Sequence, residues 1–105
     1  MKLSFIYITA SSKKEARCLG KLLVENRLAA CVNIIDGMKS LYWWKGKIEE
    51  GNETVVIAKT RKSLVRKLIK AVKAAHSYTC PCIVELPIES GYPPFLDWIR
   101  NETRA

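Results

Sequence analysis

Hydrophobic positions along this chain follow two periods, one typical of strands and one typical of helices. Residues 2–9 and 28–35 are apolar at nearly every position, as strands buried on both faces are. Residues 12–26 and 61–76 repeat apolar residues every three or four positions, as amphipathic helices do. The pattern predicts these elements in chain order: a strand at Lys2–Thr9, a helix from Ser12 to near Asn26, strands at Leu28–Ile35, Leu41–Glu50 and Glu53–Thr60, a helix at Arg61–His76, a strand at Cys82–Leu86 and a short helix at Phe95–Thr103.

The start of the first helix carries a local capping signal. Ser12 precedes the apolar stripe, and Glu15 follows it by three residues. This spacing predicts a capping box, in which the side chain of each residue accepts a hydrogen bond from the backbone N–H of the other.

An aromatic segment, Tyr42-Trp43-Trp44, lies in the strand that the pattern predicts at residues 41–50. The dipeptide Gly51-Asn52 separates this strand from the next β-prone run, which is a strong local signal for a hairpin. The sequence therefore predicts a β-hairpin with its turn at Gly51-Asn52. The aromatic side chains are expected to pack in a core or at a subunit interface, since consecutive residues of a strand point to opposite faces and cannot form one platform for stacked bases.

A second dipeptide, Asp36-Gly37, has two interpretations. It is able to form a tight hairpin turn, and it is also able to bend a single long strand at a bulge. We favour the bend.

The order of elements predicts an α/β (α+β) fold, a ferredoxin-like βαββαβ sandwich with an extra C-terminal helix, formed by a single domain of residues 1–105. In this fold both long helices cover one face of an antiparallel sheet. Yet the strand through Phe5–Ile8 and the strand through Cys31 are apolar on both faces. One helical layer cannot cover both faces, so we expect another subunit to bury the second.

The formal net charge of +8 makes nucleic acid a partner to consider. The predicted helix at Arg61–His76 carries six of the 18 basic residues and no acidic residue, however, so it is the main source of the net charge. This favours a solvated basic face over a nucleic-acid site. The chain lacks glutamine and is rich in Lys, Arg and Glu, a bias that resembles proteins of hyperthermophiles. No segment has the length and apolarity of a membrane span or an export signal, so we expect a cytoplasmic protein.

Cys80-Pro81-Cys82 is the most suggestive chemical motif. Residues two apart on an extended chain point the same way, and His76 precedes the motif by four residues. Thiolates and an imidazole suit copper(I) or zinc, although buried structural thiols are the commoner use of such cysteines. Cys31, inside an apolar strand, is interpreted first as a small core residue. The chain contains no phosphate loop and no Ser-His-Asp set, so the sequence does not predict an enzyme.

The chain resembles the CutA divalent-cation tolerance family. The resemblance is carried by residues 28–34, by residues 42–48, by Glu53, Lys59-Thr60 and by the spacing of His76, Tyr78 and Pro81. It implies a ferredoxin-like fold, a tightly packed homotrimer with an architecture similar to the PII signalling proteins, and a link to metal tolerance and copper binding.

The resemblance also implies functional positions around a cleft between subunits. The positions that the resemblance implies are Cys31, Tyr42, Trp44, Lys47, Glu53, Lys59, His76, Tyr78 and Pro81, of which Tyr42, Trp44, Lys47, Glu53, Lys59 and Tyr78 form the predicted ligand-binding set. The candidate metal set joins Cys31 and His76 with Cys80 and Cys82, which the cysteine motif adds. The chain departs from the family at Ser77, where proline or an acidic residue is usual, and at Cys82, where Glu or Ala is frequent. The second departure replaces a carboxylate with a thiol.

These observations together predict a trimeric, non-enzymatic protein that binds a divalent or soft metal ion, with copper as the expected ion. The alternatives are a nucleic-acid-binding module and a PII-like regulatory module that binds a small ligand.

Overall fold

The computed structural model describes residues 2–104. The described chain contains four strands, three α-helices and a single 3-10 turn: β1 (Leu3–Ala10), α1 (Lys13–Glu25), β2 (Cys31–Trp44), β3 (Lys47–Arg61), the 3-10 turn (Lys62–Leu64), α2 (Val65–Ala75), β4 (Ile83–Ile88) and α3 (Pro93–Glu102). The strands form one antiparallel sheet in the order β2-β3-β1-β4. The predicted ferredoxin-like fold with an extra C-terminal helix is therefore confirmed.

The bend predicted at Asp36-Gly37 is confirmed. The register of β2 against β3 shifts between Ile35 and Met38, and Gly37 has a positive φ of 81°. The hydroxyl of Thr54 donates a hydrogen bond of 2.8 Å to Asp36 Oδ1, and this bond lowers the pKa of the carboxyl. The predicted strand at Leu28–Ile35 therefore continues through the bulge into the aromatic segment, and the two form one strand, β2.

The turn predicted at Gly51-Asn52 is wrong. The hairpin turns at Lys45-Gly46, where both residues have positive φ, as a two-residue turn that matches the strand twist requires. Gly51 and Asn52 instead lie inside β3. The turn at Lys45-Gly46 pairs the apolar segment 31–35 with the apolar segment 55–59. A turn at Gly51-Asn52 would have shifted the register, and these two apolar segments would not have paired.

The second helix also starts later than predicted. Arg61 ends β3, a 3-10 turn follows, and α2 begins at Val65. Its apolar side still packs as the spacing predicts.

The core lies between the two long helices and one face of the sheet. Alternate residues of β1 and β3, such as Ile6 and Val56, are fully buried there against Leu19 and Leu23 of α1 and Leu68 of α2. Among residues 2–104, no helix has the length and apolarity needed to cross a membrane.

Within residues 2–104, no layer of long helices covers the opposite face of the sheet. Helix α3 covers only one end of this face, where Arg61 Nε donates a hydrogen bond of 2.9 Å to Thr103 Oγ1. On β4 the side chains of Val84 and Leu86 stay about half exposed. We call this surface the open face. It includes Phe5 and Tyr7 of β1, Cys31 and Asn33 of β2, and Ile57 and Lys59 of β3.

Candidate functional site

A cleft of about 310 Å³ lies beside the long β2–β3 hairpin, where the loop after α2 reaches back to the sheet. Its lining combines side chains of the hairpin and of β1 with hydroxyl and thiol groups from the loop: Tyr42, Trp44 and Glu53 from the hairpin, Thr9 from β1, and Tyr78, Thr79, Cys80 and Cys82 from the loop. Trp43 is absent from this lining because consecutive strand residues point to opposite faces. Most of the residues predicted to bind a ligand therefore come together.

The carboxylate of Glu53 is the polar centre of the cleft. Its Oε2 accepts a hydrogen bond of 2.9 Å from the Tyr78 hydroxyl, and its Oε1 accepts one of 2.6 Å from the Ser40 hydroxyl. Burial raises the pKa of Tyr78, and the hydrogen bond to the Glu53 carboxylate raises it further. Tyr78 therefore remains a neutral donor that holds the loop on the hairpin.

His76 is buried beneath the loop, with no exposed side-chain surface. Its Nε2 lies 2.7 Å from the carbonyl oxygen of Thr9, and its Nδ1 accepts the backbone N–H of Tyr78 at 3.0 Å. A carbonyl only accepts, so Nε2 carries the hydrogen and the ring is neutral. Both ring nitrogens are thus engaged, and the predicted role of His76 as a metal ligand requires one of these bonds to break.

Glu15 ties the same loop to the start of α1. Its Oε2 accepts the backbone N–H of Ser77 at 2.8 Å, while its Oε1 accepts both the N–H and the hydroxyl of Ser11 at 2.8 Å. The hydroxyl of Ser12 caps the helix as predicted, accepting the Glu15 N–H at 3.1 Å. The other half of the predicted capping box differs, because the Glu15 side chain reaches Ser11 instead of Ser12.

Replacement of Glu15 should destabilise the protein in a pH-dependent way. Burial alone would raise the pKa of Glu15, but the hydrogen bonds from Ser11 and Ser77 outweigh it and lower the pKa from 4.5 to about 2. The stabilisation is therefore complete above pH 4.5 and is lost as the pH falls towards 2. We expect Glu15→Gln to cost about 1–3 kcal/mol at neutral pH, because the amide nitrogen cannot accept a backbone N–H.

Denaturant unfolding at several pH values measures this effect, and Glu25→Gln is the matched control on the same helix. Glu25 is exposed, so its replacement should change the free energy of unfolding by less than about 0.5 kcal/mol. Equal pH dependence of the two variants would contradict the role given to Glu15.

The two thiols of the Cys80-Pro81-Cys82 motif both line the cleft. Cys80 is exposed and Cys82 is half-buried, and all four cysteines of the chain are free. Burial raises the pKa of the Cys82 thiol, and the nearby charge of Glu53 adds to the shift. Cys82 is therefore a protonated thiol at neutral pH, and a metal that binds it must displace the proton.

Cys31 and Lys59 lie elsewhere on the sheet. They are cross-strand neighbours on the open face, and Glu53 is six residues from Lys59 along β3. At about 3.3 Å per residue this separates the pair from the cleft by about 20 Å within one chain. Lys47, the last of the predicted ligand-binding residues, lies opposite Trp44 at the hairpin turn, outside the cleft lining.

Within residues 2–104, no three His, Cys, Asp or Glu side chains are grouped closely enough to hold a metal ion. The predicted metal set is therefore divided into two cleft thiols, an engaged imidazole and a distant thiol.

Sequence patterns did not point to several residues that shape the cleft. Thr9 and Thr79 line it, while Ser40 orients the Glu53 carboxylate. No sequence pattern pointed to Ser40, because the bulge in β2 decides that its side chain lies on the same side as Glu53. The spacing of Ser12 and Glu15 did point to Glu15, but it predicted only a role in capping the helix.

The comparison that decides the identity of the family covers almost the whole chain. The CutA1 divalent ion tolerance protein family matches residues 4–102. The chain belongs to this family. The divalent-cation tolerance protein CutA of Archaeoglobus fulgidus is 53% identical over 96 residues, covering 91% of this chain and 93% of the relative. The CutA of Thermus thermophilus is 47% identical over 98 residues, covering 93% of this chain and 95% of the relative.

Solved CutA structures have the same fold. The crystal structure of CutA1 from Oryza sativa superimposes with a TM-score of 0.96 at 39% identity and covers 99% of this chain and 95% of that one. The CutA family is named for tolerance of divalent ions and not for a reaction. Names of relatives place them in different compartments, periplasmic for the Archaeoglobus protein and chloroplastic for a rice protein.

Proposed function

We propose that this CutA family member is a homotrimer that binds metal ions, copper among them, at clefts completed by neighbouring subunits. The observation that supports metal binding best is the cleft in which Cys80, Cys82 and Glu53 meet an aromatic wall. Thiolates prefer soft ions, and copper is held most tightly among the divalent first-row ions. We infer binding and not catalysis as the role, because the family is named for tolerance of divalent ions and not for a reaction.

Assembly is supported by the apolar surface that one chain leaves exposed. The outer side of the hairpin carries Leu41 and Trp43, which are 73% and 71% exposed, and Ile48 lies opposite Trp43. The open face adds Val84 and Leu86. Exposed apolar surface of this kind marks an interface in soluble proteins.

Light scattering at micromolar protein tests the assembly. We expect three times the mass of one chain, and an apparent melting temperature that rises with protein concentration. Each interface should bury on the order of 2,000 Å² or more in total. Leu86→Glu should lower the mass or the melting temperature, because it places a charge in an apolar contact. Lys70→Glu, on the exposed side of α2, is the matched control. A monomer mass for the parent protein would refute the trimer.

Metal content of protein purified without an affinity tag tests the second half of the proposal. The two cleft thiols supply two ligands, and a neighbouring subunit is expected to supply the remainder. Copper at a fixed ratio to the trimer is the expected result. Protein that is free of metal and does not take up copper(I) or copper(II) on dialysis contradicts metal binding and leaves the trimer unaffected.

The alternative function of nucleic-acid binding has one structural feature in its favour. Helix α2 presents Arg66, Lys67, Lys70 and Lys73 on its exposed side. Binding of nucleic acid through these residues should fall steeply with salt in a gel-shift titration. Absence of a shift at low salt removes this alternative and leaves a small-ligand role, as in PII-like modules.

We propose a cytoplasmic location for the protein, although its relatives differ in compartment. Cell fractionation with compartment markers tests it, and recovery with periplasmic markers would overturn it.

A further inference from the structure

We propose that Cys80 and Cys82 form a redox pair, which exchanges with small disulfides to become a reversible Cys80–Cys82 disulfide and thereby withdraws both thiols from the cleft. The disulfide itself does not depend on metal binding, while its effect on copper rests on the proposed function. The cleft then offers these two ligands to a soft metal ion only while the pair is reduced, because the thiolate is the form that binds metal.

The two thiols share one cleft, and within residues 2–104 no other cysteine belongs to its lining. Cys80 is exposed and Cys82 is half-buried. Cys18 lies on α1 and Cys31 lies on β2, both outside the cleft. Within one chain, each cleft thiol therefore has the other as its partner for a disulfide.

The spacing of the two residues meets the distance that a disulfide requires. A disulfide joins residues whose Cα atoms are about 4.4–6.8 Å apart. Residues two apart reach about 7 Å on a fully extended chain, but the proline ring fixes the φ of Pro81 at about −65°. A chain with this φ rises about 3.1 Å per residue, which places the Cα atoms of Cys80 and Cys82 about 6 Å apart.

Hydrogen bonds hold the loop on both sides of Cys80. The Tyr78 hydroxyl donates to the Glu53 carboxylate at 2.9 Å, and the backbone oxygen of Cys82 accepts the N–H of Thr9 at 3.3 Å. Neither bond involves a sulfur atom. The disulfide therefore forms by rotation of the two cysteine side chains and leaves the loop on the hairpin.

The exchange takes two steps. The exposed Cys80 attacks the small disulfide as a thiolate, forms a mixed disulfide with one half and releases the other half as a thiol. The Cys82 thiolate then attacks the sulfur of Cys80 and releases the second half. Two protein thiols are oxidised, one small disulfide is reduced to two thiols, and the protein's two protons end on these products. Because the new ring spans a single residue, its disulfide is strained and excess small thiol reduces it again.

The experiment incubates the full chain, free of metal and oxygen, with hydroxyethyl disulfide and mercaptoethanol at graded ratios. Free thiols are then blocked with iodoacetamide in denaturant, and mass spectrometry of tryptic peptides locates the change. In the parent, the peptide that holds both cysteines should escape blocking and lose two hydrogens, and dithiothreitol should restore both thiols. Cys82→Ser should stop at the mixed disulfide on Cys80, because the second attacking thiol is gone. Cys18→Ser is the matched control and should behave like the parent.

Competition with a chromogenic copper(I) chelator then compares the oxidised and the reduced parent. We expect oxidation to weaken copper(I) binding on the order of 100-fold, since loss even of groups that only support metal ligands costs 10- to 100-fold. A disulfide that forms without changing the copper(I) affinity would overturn the control of copper binding, together with the ligand role of the thiols in the proposed function. The redox pair would stand.

Two results overturn the redox pair itself. One is a parent whose peptide keeps both thiols, or carries only mixed disulfides, at every ratio tested, because the two sulfurs then do not meet. The other is a pair of chains joined on a non-reducing gel by a bond that Cys80→Ser removes, because Cys80 then pairs with another subunit.

Discussion

The double variant Cys80→Ser, Cys82→Ser is expected to hold copper(I) on the order of 100-fold more weakly than the parent protein, since loss even of groups that only support metal ligands costs 10- to 100-fold. Both thiols line the cleft, and serine keeps their size while replacing a soft sulfur with a hard oxygen. Competition with a chromogenic copper(I) chelator measures the affinity.

The matched control is Cys18→Ser, which removes an exposed thiol of α1 that does not line the cleft. It should bind copper(I) like the parent. Equal affinity in the parent and the double variant would show that the cleft thiols are structural. Copper could then still bind at another site, and the metal content of the purified protein would test whether the protein binds metal at all.

Copper binding should also strengthen as the pH rises. Burial, followed by the charge of Glu53, raises the pKa of Cys82 above its ordinary value of 9.0, so the proton competes with the metal throughout the neutral range. An affinity that does not change with pH would exclude Cys82 as a ligand.

Leu68→Ala is expected to lower the free energy of unfolding by about 2–5 kcal/mol. Leu68 has no exposed surface and belongs to the cluster that joins α2 to Ile6 of β1 and Leu23 of α1. Truncation removes buried apolar surface and leaves a cavity, since neighbouring elements collapse only in part.

Denaturant unfolding at fixed protein concentration measures this loss. Lys70→Ala is the control on the same helix, and because Lys70 is exposed its effect should stay within about 0.5 kcal/mol. A Leu68→Ala variant as stable as this control would mean that α2 contributes little to the core.

The amino-acid sequence by itself determined the order of the elements and the capping of α1 by Ser12, and it favoured the bend at Asp36-Gly37 over a hairpin turn. These features depend on neighbouring residues, so local periodicity and turn chemistry are sufficient to predict them. The pair Tyr42 and Trp44 came from the resemblance to the CutA family, and alternation along the strand explains why both side chains line the cleft while Trp43 does not.

Only the tertiary structure decided where the hairpin turns and which residues share a site. Gly51-Asn52 and Lys45-Gly46 both suit a turn, and pairing of the apolar segments along β2 and β3 selected the second.

Contacts between residues distant in the chain also divided the predicted site residues into two groups, one in the cleft and one around Lys59. The bulge in β2 places Ser40 on Glu53, and the loop after α2 brings Tyr78 to the same carboxylate. Strand register leaves Cys31 beside Lys59, about 20 Å along the sheet from that carboxylate. The distances between these side chains depend on the strand register and on the packing of the loop. Both are set by contacts between residues far apart in the chain, so the sequence pattern did not predict the distances.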